Sequence, residues 1–302
     1  MVQKYALELK NVCYGIRPHF YSRFIAVLER FNLKIPSGCS MGIIGSNGAG
    51  KTTTLKLSAG ILLPNSGEIL LNGEPVSAFS AKGTLGFLSE SPYVYPHLKL
   101  IEWLSMMGRL SGLSGRQLAI AIDQHLDLLG LEDKKKALMN TLSKGQLQRA
   151  CFAQTCLHSP DLFILDEPMS GMDPFWRSRI KDILLDLKIK GKTLVFSSHI
   201  ISDILRLSDE MILIESGVIK WKGGMHEWPR KHLSFYAIFK TDCMQSISQE
   251  VQIRSLTSYP DGSYGGRIHP KDKETLIRKA DQNILELISL MPEYDELKGP
   301  AS

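Results

Sequence analysis

Eight consecutive residues, Gly45-Ser46-Asn47-Gly48-Ala49-Gly50-Lys51-Thr52, leave this chain few alternative architectures. A short apolar run at 41–44 precedes them, and a helical stretch from about residue 50 to 59 follows. Strand, glycine-rich turn and helix in that order make a phosphate cradle. The glycines let backbone N–H groups turn inward around phosphate oxygens, and the helix start adds about half a positive charge. Lys51 is expected to reach the terminal phosphates. Thr52, with Thr53 beside it, is expected at the Mg²⁺ and phosphate end of a nucleoside triphosphate.

A second segment completes that chemistry. Phe163-Ile164-Leu165-Asp166-Glu167 is an apolar strand that delivers two carboxylates to its carboxyl end, the crevice side of a parallel sheet. Asp166 is expected to hold Mg²⁺, directly or through water. Glu167 is expected to orient and deprotonate a water. Two carboxylates after a strand are in isolation more often a helix cap; the phosphate cradle shifts the balance.

Residues 6–12 and 31–35 alternate apolar and polar positions, so two antiparallel strands are expected there. Further strands are expected at 67–72, 85–88, 162–166 and 193–197, with a helix opening at Asp173-Pro174. Residues 210–214 and 218–221 flank Ser216-Gly217 and predict a hairpin. Strands alternating with helices imply a parallel sheet covered on both faces. The mostly helical stretch at 100–157 is expected as an insertion between sheet strands. After Pro229 the pattern restarts, with strands at 235–239, 251–256 and 264–268. An amphipathic helix is expected over 275–291, with Leu276, Ala280, Ile284, Ile288 and Met291 on one face.

Composition narrows the classes that remain. No apolar run approaches the ~18 residues of a membrane helix, and Met1 to Lys10 lacks the core of a signal peptide. The expectation is a cytoplasmic chain that forms no pore itself. Five cysteines show no CxxC pair, against a zinc site. The net charge is +5, and the segment after Pro229 holds ten basic and ten acidic residues. The excess forms no basic run, so no nucleic-acid partner is expected.

With these residues in view, the chain resembles the ATP-binding cassette (ABC) family over residues 1 to about 224. Leu142-Ser143-Lys144-Gly145-Gln146 is similar to the family signature LSGGQ and lies just upstream of the Asp166–Glu167 strand. The resemblance implies that Ser143, Gly145 and Gln146 bind the γ-phosphate of ATP held by a second subunit. It implies that Tyr14 stacks on adenine and that Asp173, in Ser170-Gly171-Met172-Asp173, helps hold the dimer. His199, after an apolar strand, matches the switch histidine that contacts the γ-phosphate. The expected fold is α/β: a P-loop domain at 1–228 with an antiparallel β subdomain and a helical subdomain at about 95–158. A small C-terminal α+β module at 229–302 follows. The cofactors implied are ATP and Mg²⁺.

Two departures from the family pattern stand out. Glu90 occupies the place of a usual Gln near the metal, adding negative charge beside Asp166 and Glu167. Lys144 replaces a signature glycine and adds a cation. Both resemble the exporter branch, in which ATPase and permease are separate chains. The expected partners are a membrane permease and a second ATP-binding subunit, at the inner face of the cell membrane. An importer ATPase and a soluble ABC ATPase are the alternatives.

Overall fold

Alternation and continuous apolar runs sort the strands into two kinds of sheet. The computed structural model describes residues 4–17, 21, 23–78, 83–224, 227, 233–241, 244–248, 250–282 and 284–294. They fall into two compact units, Met1–His226 and Glu227–Ser302.

In the first unit, β1 (Tyr5–Ile16) and β2 (Ile25–Pro36) alternate buried and exposed positions. They join β4 (Ser66–Leu71) and β5 (Glu74–Pro75) in a four-stranded antiparallel sheet ordered β2-β1-β4-β5. The other strands are β3 (Ser40–Ile44), β6 (Leu85–Leu88), β7 (Leu162–Leu165), β8 (Thr193–Ser197), β9 (Glu210–Glu215) and β10 (Val218–Gly224). They form a six-stranded sheet ordered β10-β9-β3-β8-β7-β6, parallel except for the β10 edge. Every residue of β3, β7 and β8 is buried, which accounts for their mostly apolar sequences, with Ser40, Thr193 and Ser197 the polar members.

One apolar cluster ties the sheets together. Leu7, Leu9, Phe31 and Leu33 of the first pack with Met41, Ile43, Ile164 and Ile212 of the second, and Leu55 and Leu57 of α1 (Lys51–Ser58) lie within it. The helix after the phosphate loop is thus anchored on the core. Its start cannot drift relative to the ends of β7 and β8, against which it packs.

The insertion comprises α2 (Leu100–Leu110), α3 (Gly115–Leu128) and α4 (Lys144–Cys156), which pack on one another, with α4 also against β6. Helix α5 (Pro174–Ile189) starts as its sequence predicts, with Asp173 Oδ1 accepting the Trp176 N–H at 3.0 Å and Pro174 in the first turn. Helix α6 is Ile201–Leu207. The β9–β10 hairpin turns through Ser216 (φ 47°) and Gly217 (φ 78°), the paired positive angles of a tight hairpin turn. A Cβ at Gly217 would lie 2.0 Å from the Val27 carbonyl oxygen, so β2 approaches too closely for any side chain there.

The second unit is an antiparallel sheet ordered β12-β13-β11-β14. Its strands are β11 (Leu233–Lys240), β12 (Ile253–Ser258), β13 (Tyr264–Ile268) and β14 (Glu286–Tyr294). Two helices, α7 (Met244–Ser248) and α8 (Lys273–Asp281), complete it. Ala237, Phe239, Ile247, Val251, Ile268, Leu276 and Leu285 make its core. The helix expected over 275–291 is corrected here: it stops at Asp281, and the chain then pairs with β11. Leu285 is buried and Ile288 is half exposed. The two-residue period of a strand has overridden a spacing that also suited a helix.

Candidate active site

The phosphate loop gets its shape from positive backbone angles. Gly48 has φ 79° and Gly50 has φ 108°, a region that side chains rarely adopt. Gly50 is the N-cap of α1 and no side chain caps that end. The Lys51 ammonium curls over its own loop and donates to Gly45 O at 2.7 Å and Ser46 O at 3.2 Å. Ala49 N–H donates back to Ser46 O at 3.1 Å, which closes the turn.

A cavity of about 660 Å³ opens on this loop. Asn47, Gly48, Gly50, Lys51, Thr52 and Thr53 line one side; Glu90, Asp166, Glu167 and His199 line the other. Residues separated by more than a hundred positions therefore converge, because β6, β7 and β8 run parallel and end on the same side as β3. Val27 of β2 also lines the cavity. It carried no signal in the sequence, being one apolar residue in a strand.

The two carboxylates differ in their surroundings. Asp166 is 1% exposed; its Oδ1 accepts a hydrogen bond from Ser197 Oγ at 2.8 Å, and its Oδ2 is buried with no hydrogen-bond partner. Glu167 Oε2 lies 2.9 Å from His199 Nδ1, which donates when that nitrogen carries the proton. Burial pushes the Glu167 carboxyl above its ordinary range, with Asp166 adding to the rise; His199 and Lys51 pull it back. A partly desolvated carboxylate with a raised proton affinity is suited to act as a base. Glu167 also has φ 48°, an uncommon angle for a residue with a side chain.

The orphaned Asp166 oxygen fits a cation, since a buried carboxylate oxygen without a partner is costly. Among the described residues, no three His, Cys, Asp or Glu side chains could hold a metal by themselves. The donor set suits Mg²⁺, which commonly takes one or two carboxylates and completes its shell with phosphates and water.

Not every expected residue comes to this cavity. Tyr14 is within β1, opposite Leu28, partly buried against the apolar core and absent from the cavity lining. Its ring packs in part against the core and keeps part of its surface exposed. Ser143, Gly145, Gln146 and Asp173 also lie off the cavity. They form a separate patch: a Cβ on Gly145 would sit 3.2 Å from Gly171 O, and the Lys144 side chain lies over Gly171. Ser143 caps α4, accepting the Gln146 N–H at 3.3 Å while Gln146 Oε1 accepts the Ser143 N–H at 2.9 Å.

Comparison with known proteins agrees with this arrangement. The sequence profile of the ABC transporter family matches residues 28–170. An ABC transporter ATP-binding protein of Nostoc is 40% identical over 246 residues, covering 81% of this chain and 73% of the relative. The Nod factor export ATP-binding protein I of Cupriavidus metallidurans is 34% identical over 203 residues, 67% of each chain. A solved ATP-binding subunit of an ABC transporter superposes with a TM-score of 0.66 at 28% identity, covering 72% of this chain and 90% of that one. The cbiO1 structure from Clostridium perfringens, part of the ABC transporter complex cbiONQ, gives 0.62 at 26% identity, covering 74% and 90%. Phosphate loop, paired carboxylates, parallel sheet and these likenesses together place the chain in the ABC transporter family, among its ATP-binding subunits.

Proposed function

We propose that this chain hydrolyses ATP at the cavity between the phosphate loop and Glu167, and that hydrolysis drives export through a separate membrane permease. The observation that carries the reading is the convergence of Lys51, Asp166, Glu167 and His199 on one cavity, with Glu167 held 2.9 Å from the imidazole. Lys51 and the loop N–H groups hold the phosphates. Glu167 accepts the proton of a water whose oxygen bonds to the γ-phosphorus. The bond to the β–γ bridging oxygen breaks, and ADP leaves with that electron pair. His199 orients the Glu167 carboxylate and contacts the γ-phosphate. Thr52, Asp166 and Glu90 are the residues that would hold Mg²⁺, which supplies charge neutralisation to the phosphates when bound.

Ser143, Gly145, Gln146 and Asp173 lie outside their own chain's cavity. That supports a head-to-tail pair, in which each signature meets ATP held by the other chain. The export direction is supported by the relative named for Nod factor export. Among the described residues no helix is long and apolar enough to cross a membrane, which suits a subunit docked on a permease at the cytoplasmic face. A groove of about 620 Å³ suits that docking, lined by Phe87, Leu88, Pro92, Tyr93, Met107 and Leu110 among others. Tyr93 is 88% and Leu110 73% exposed, and amphipathic aromatics of this kind are enriched at interfaces.

The decisive experiment is Glu167→Gln, which keeps the shape and removes the base. ATP binding should persist while turnover falls by roughly 10²–10⁴-fold, and the ATP-bound pair should accumulate on size-exclusion chromatography. Wild-type turnover in this variant would overturn the assignment.

A further inference from the structure

Ser197 sits at the end of β8, fully buried, in a strand whose other residues are Thr193 and three apolar side chains. Leu165 of β7 pairs with Phe196 of β8, so Ser197 falls beside the first residue beyond β7, which is Asp166. A hydroxyl has one proton to give and lone pairs to accept with. Ser197 uses both on the carboxylate pair. It donates to Asp166 Oδ1 at 2.8 Å and accepts the Glu167 backbone N–H at 2.9 Å.

We propose that Ser197 is a positioning residue that fixes Asp166 and Glu167 together through this single hydroxyl; the inference rests on the ATPase reading above. Two features of the pair need such a tether. Glu167 holds φ 48°, and its backbone is fixed on both sides: the N–H by Ser197, the carbonyl by the Ser170 N–H at 3.0 Å. Left-handed geometry in a residue with a side chain persists only when neighbouring bonds over-determine it. Asp166 is bonded on one oxygen only, and the other is buried without a partner. By occupying Oδ1, Ser197 turns Oδ2 into the oxygen available to a cation. The neighbouring Ser198 does something different, its Oγ accepting the Ile200 N–H at 3.0 Å. Two adjacent serines thus divide the labour: one aligns the carboxylates, the other shapes the turn that carries His199.

Three proteins test this: the wild type, Ser197→Ala and Ser197→Thr. The readouts are nucleotide affinity in EDTA, the Mn²⁺ affinity of the complex with a non-hydrolysable ATP analogue (by EPR of free Mn²⁺), and kcat. Groups that hydrogen-bond to a metal's ligands are commonly worth about 10–100-fold in metal affinity or activity. Ser197→Ala should therefore lose roughly tenfold or more in Mn²⁺ affinity and in kcat, with metal-free nucleotide affinity unchanged. Ser197→Thr restores the hydroxyl and should recover both; if the extra methyl prevents folding, the alanine variant decides alone. Unchanged Mn²⁺ affinity and kcat in Ser197→Ala would overturn the inference. So would a parallel loss of metal-free nucleotide affinity, which would make Ser197 a packing residue. A wild type without Mg²⁺-dependent turnover removes the ATPase reading itself. An active wild type with an indifferent alanine variant removes only the role of Ser197.

Discussion

Helices α1 and α4 both begin at residues proposed to meet a triphosphate, yet their starts are built in opposite ways. At α1 the N-cap is Gly50 in a left-handed conformation, with no side-chain cap, beside the cavity. At α4, Ser143 and Gln146 close a reciprocal capping box. The first start leaves its N–H groups without a side-chain acceptor; the second satisfies the Gln146 and Ser143 N–H groups from its own sequence. Phosphate oxygens can enter the first without displacing a side-chain cap, with only the Lys51 ammonium turning from Gly45 O and Ser46 O toward them. At the second they must replace a cap that contributes about 1 kcal/mol. One half of the proposed shared site is therefore ready within a single chain. On the proposed pairing, the signature half exchanges one set of hydrogen bonds for another only when a partner brings the nucleotide.

The largest effect should come from disabling each start separately. Lys51→Ala should lower nucleotide affinity and turnover, the latter by roughly 10²–10³-fold, the usual weight of one electrostatic donor. Ser143→Arg should spare affinity and abolish turnover. Mixing the two variants should recover part of the activity, because each mixed pair keeps one composite site. The ATPase rate against mixing ratio reads this directly. If Ser143→Arg loses nucleotide binding by itself, both starts belong to one chain's pocket and the contrast collapses.

A glycine exchange probes the contrast at smaller scale. At Gly48 there is open space but φ is 79°, so alanine strains the loop, by about 1–2 kcal/mol or roughly tenfold in nucleotide affinity. At Gly145 the helix welcomes alanine by about 1 kcal/mol, though Gly171 O must give by a few tenths of an ångström. Gly145→Ala should thus leave single-chain affinity unchanged and lower only the turnover of the pair. Isothermal titration and ATPase assays separate the two.

Next comes the cap itself. Ser143→Ala should cost about 1 kcal/mol, a fall in melting temperature of about 2–4 °C for a domain of this size. Differential scanning calorimetry without nucleotide is the measurement. No change would mean that the box contributes nothing in solution. The smallest effect concerns thiols. Burial pushes Cys151 of α4 up to about 12, while the Arg30 N–H bonded to the Cys13 sulfur holds that thiol below its ordinary value. In a Cys243→Ser background, iodoacetamide at pH 8 should alkylate Cys13 first and leave Cys151 untouched. Early labelling of Cys151 would mean that α4 opens in the free chain.

Much of this arrangement is legible in the amino-acid sequence. The phosphate loop, the strand ending in Asp166-Glu167, the Asp173-Pro174 helix start and the Ser216-Gly217 turn each pair a local rule with a particular residue type. Two features are not legible, for two reasons. Residues 275–291 satisfy a helical spacing, yet pairing with β11 makes their second half a strand. Ser197 is one serine in an apolar run, and its two bonds reach residues some thirty positions away. Only strand register brings them together, and a sequence read along its length does not display register.

The short path Leu88-Ser89-Glu90 joins the nucleotide cavity to the groove proposed to dock a permease. Leu88 and Ser89 border the exposed groove, and Glu90 borders the nucleotide cavity, so one backbone segment forms a wall of both. If a permease docks in that groove, anything that shifts this segment changes the two binding equilibria together, and such coupling is reciprocal. If permease docking tightens ATP binding by some factor, ATP must tighten docking by that same factor. An energy of about 1–3 kcal/mol, typical of such coupling, would then act with equal force in either direction through three residues. The permease would regulate its motor by the same wall through which the motor moves the permease.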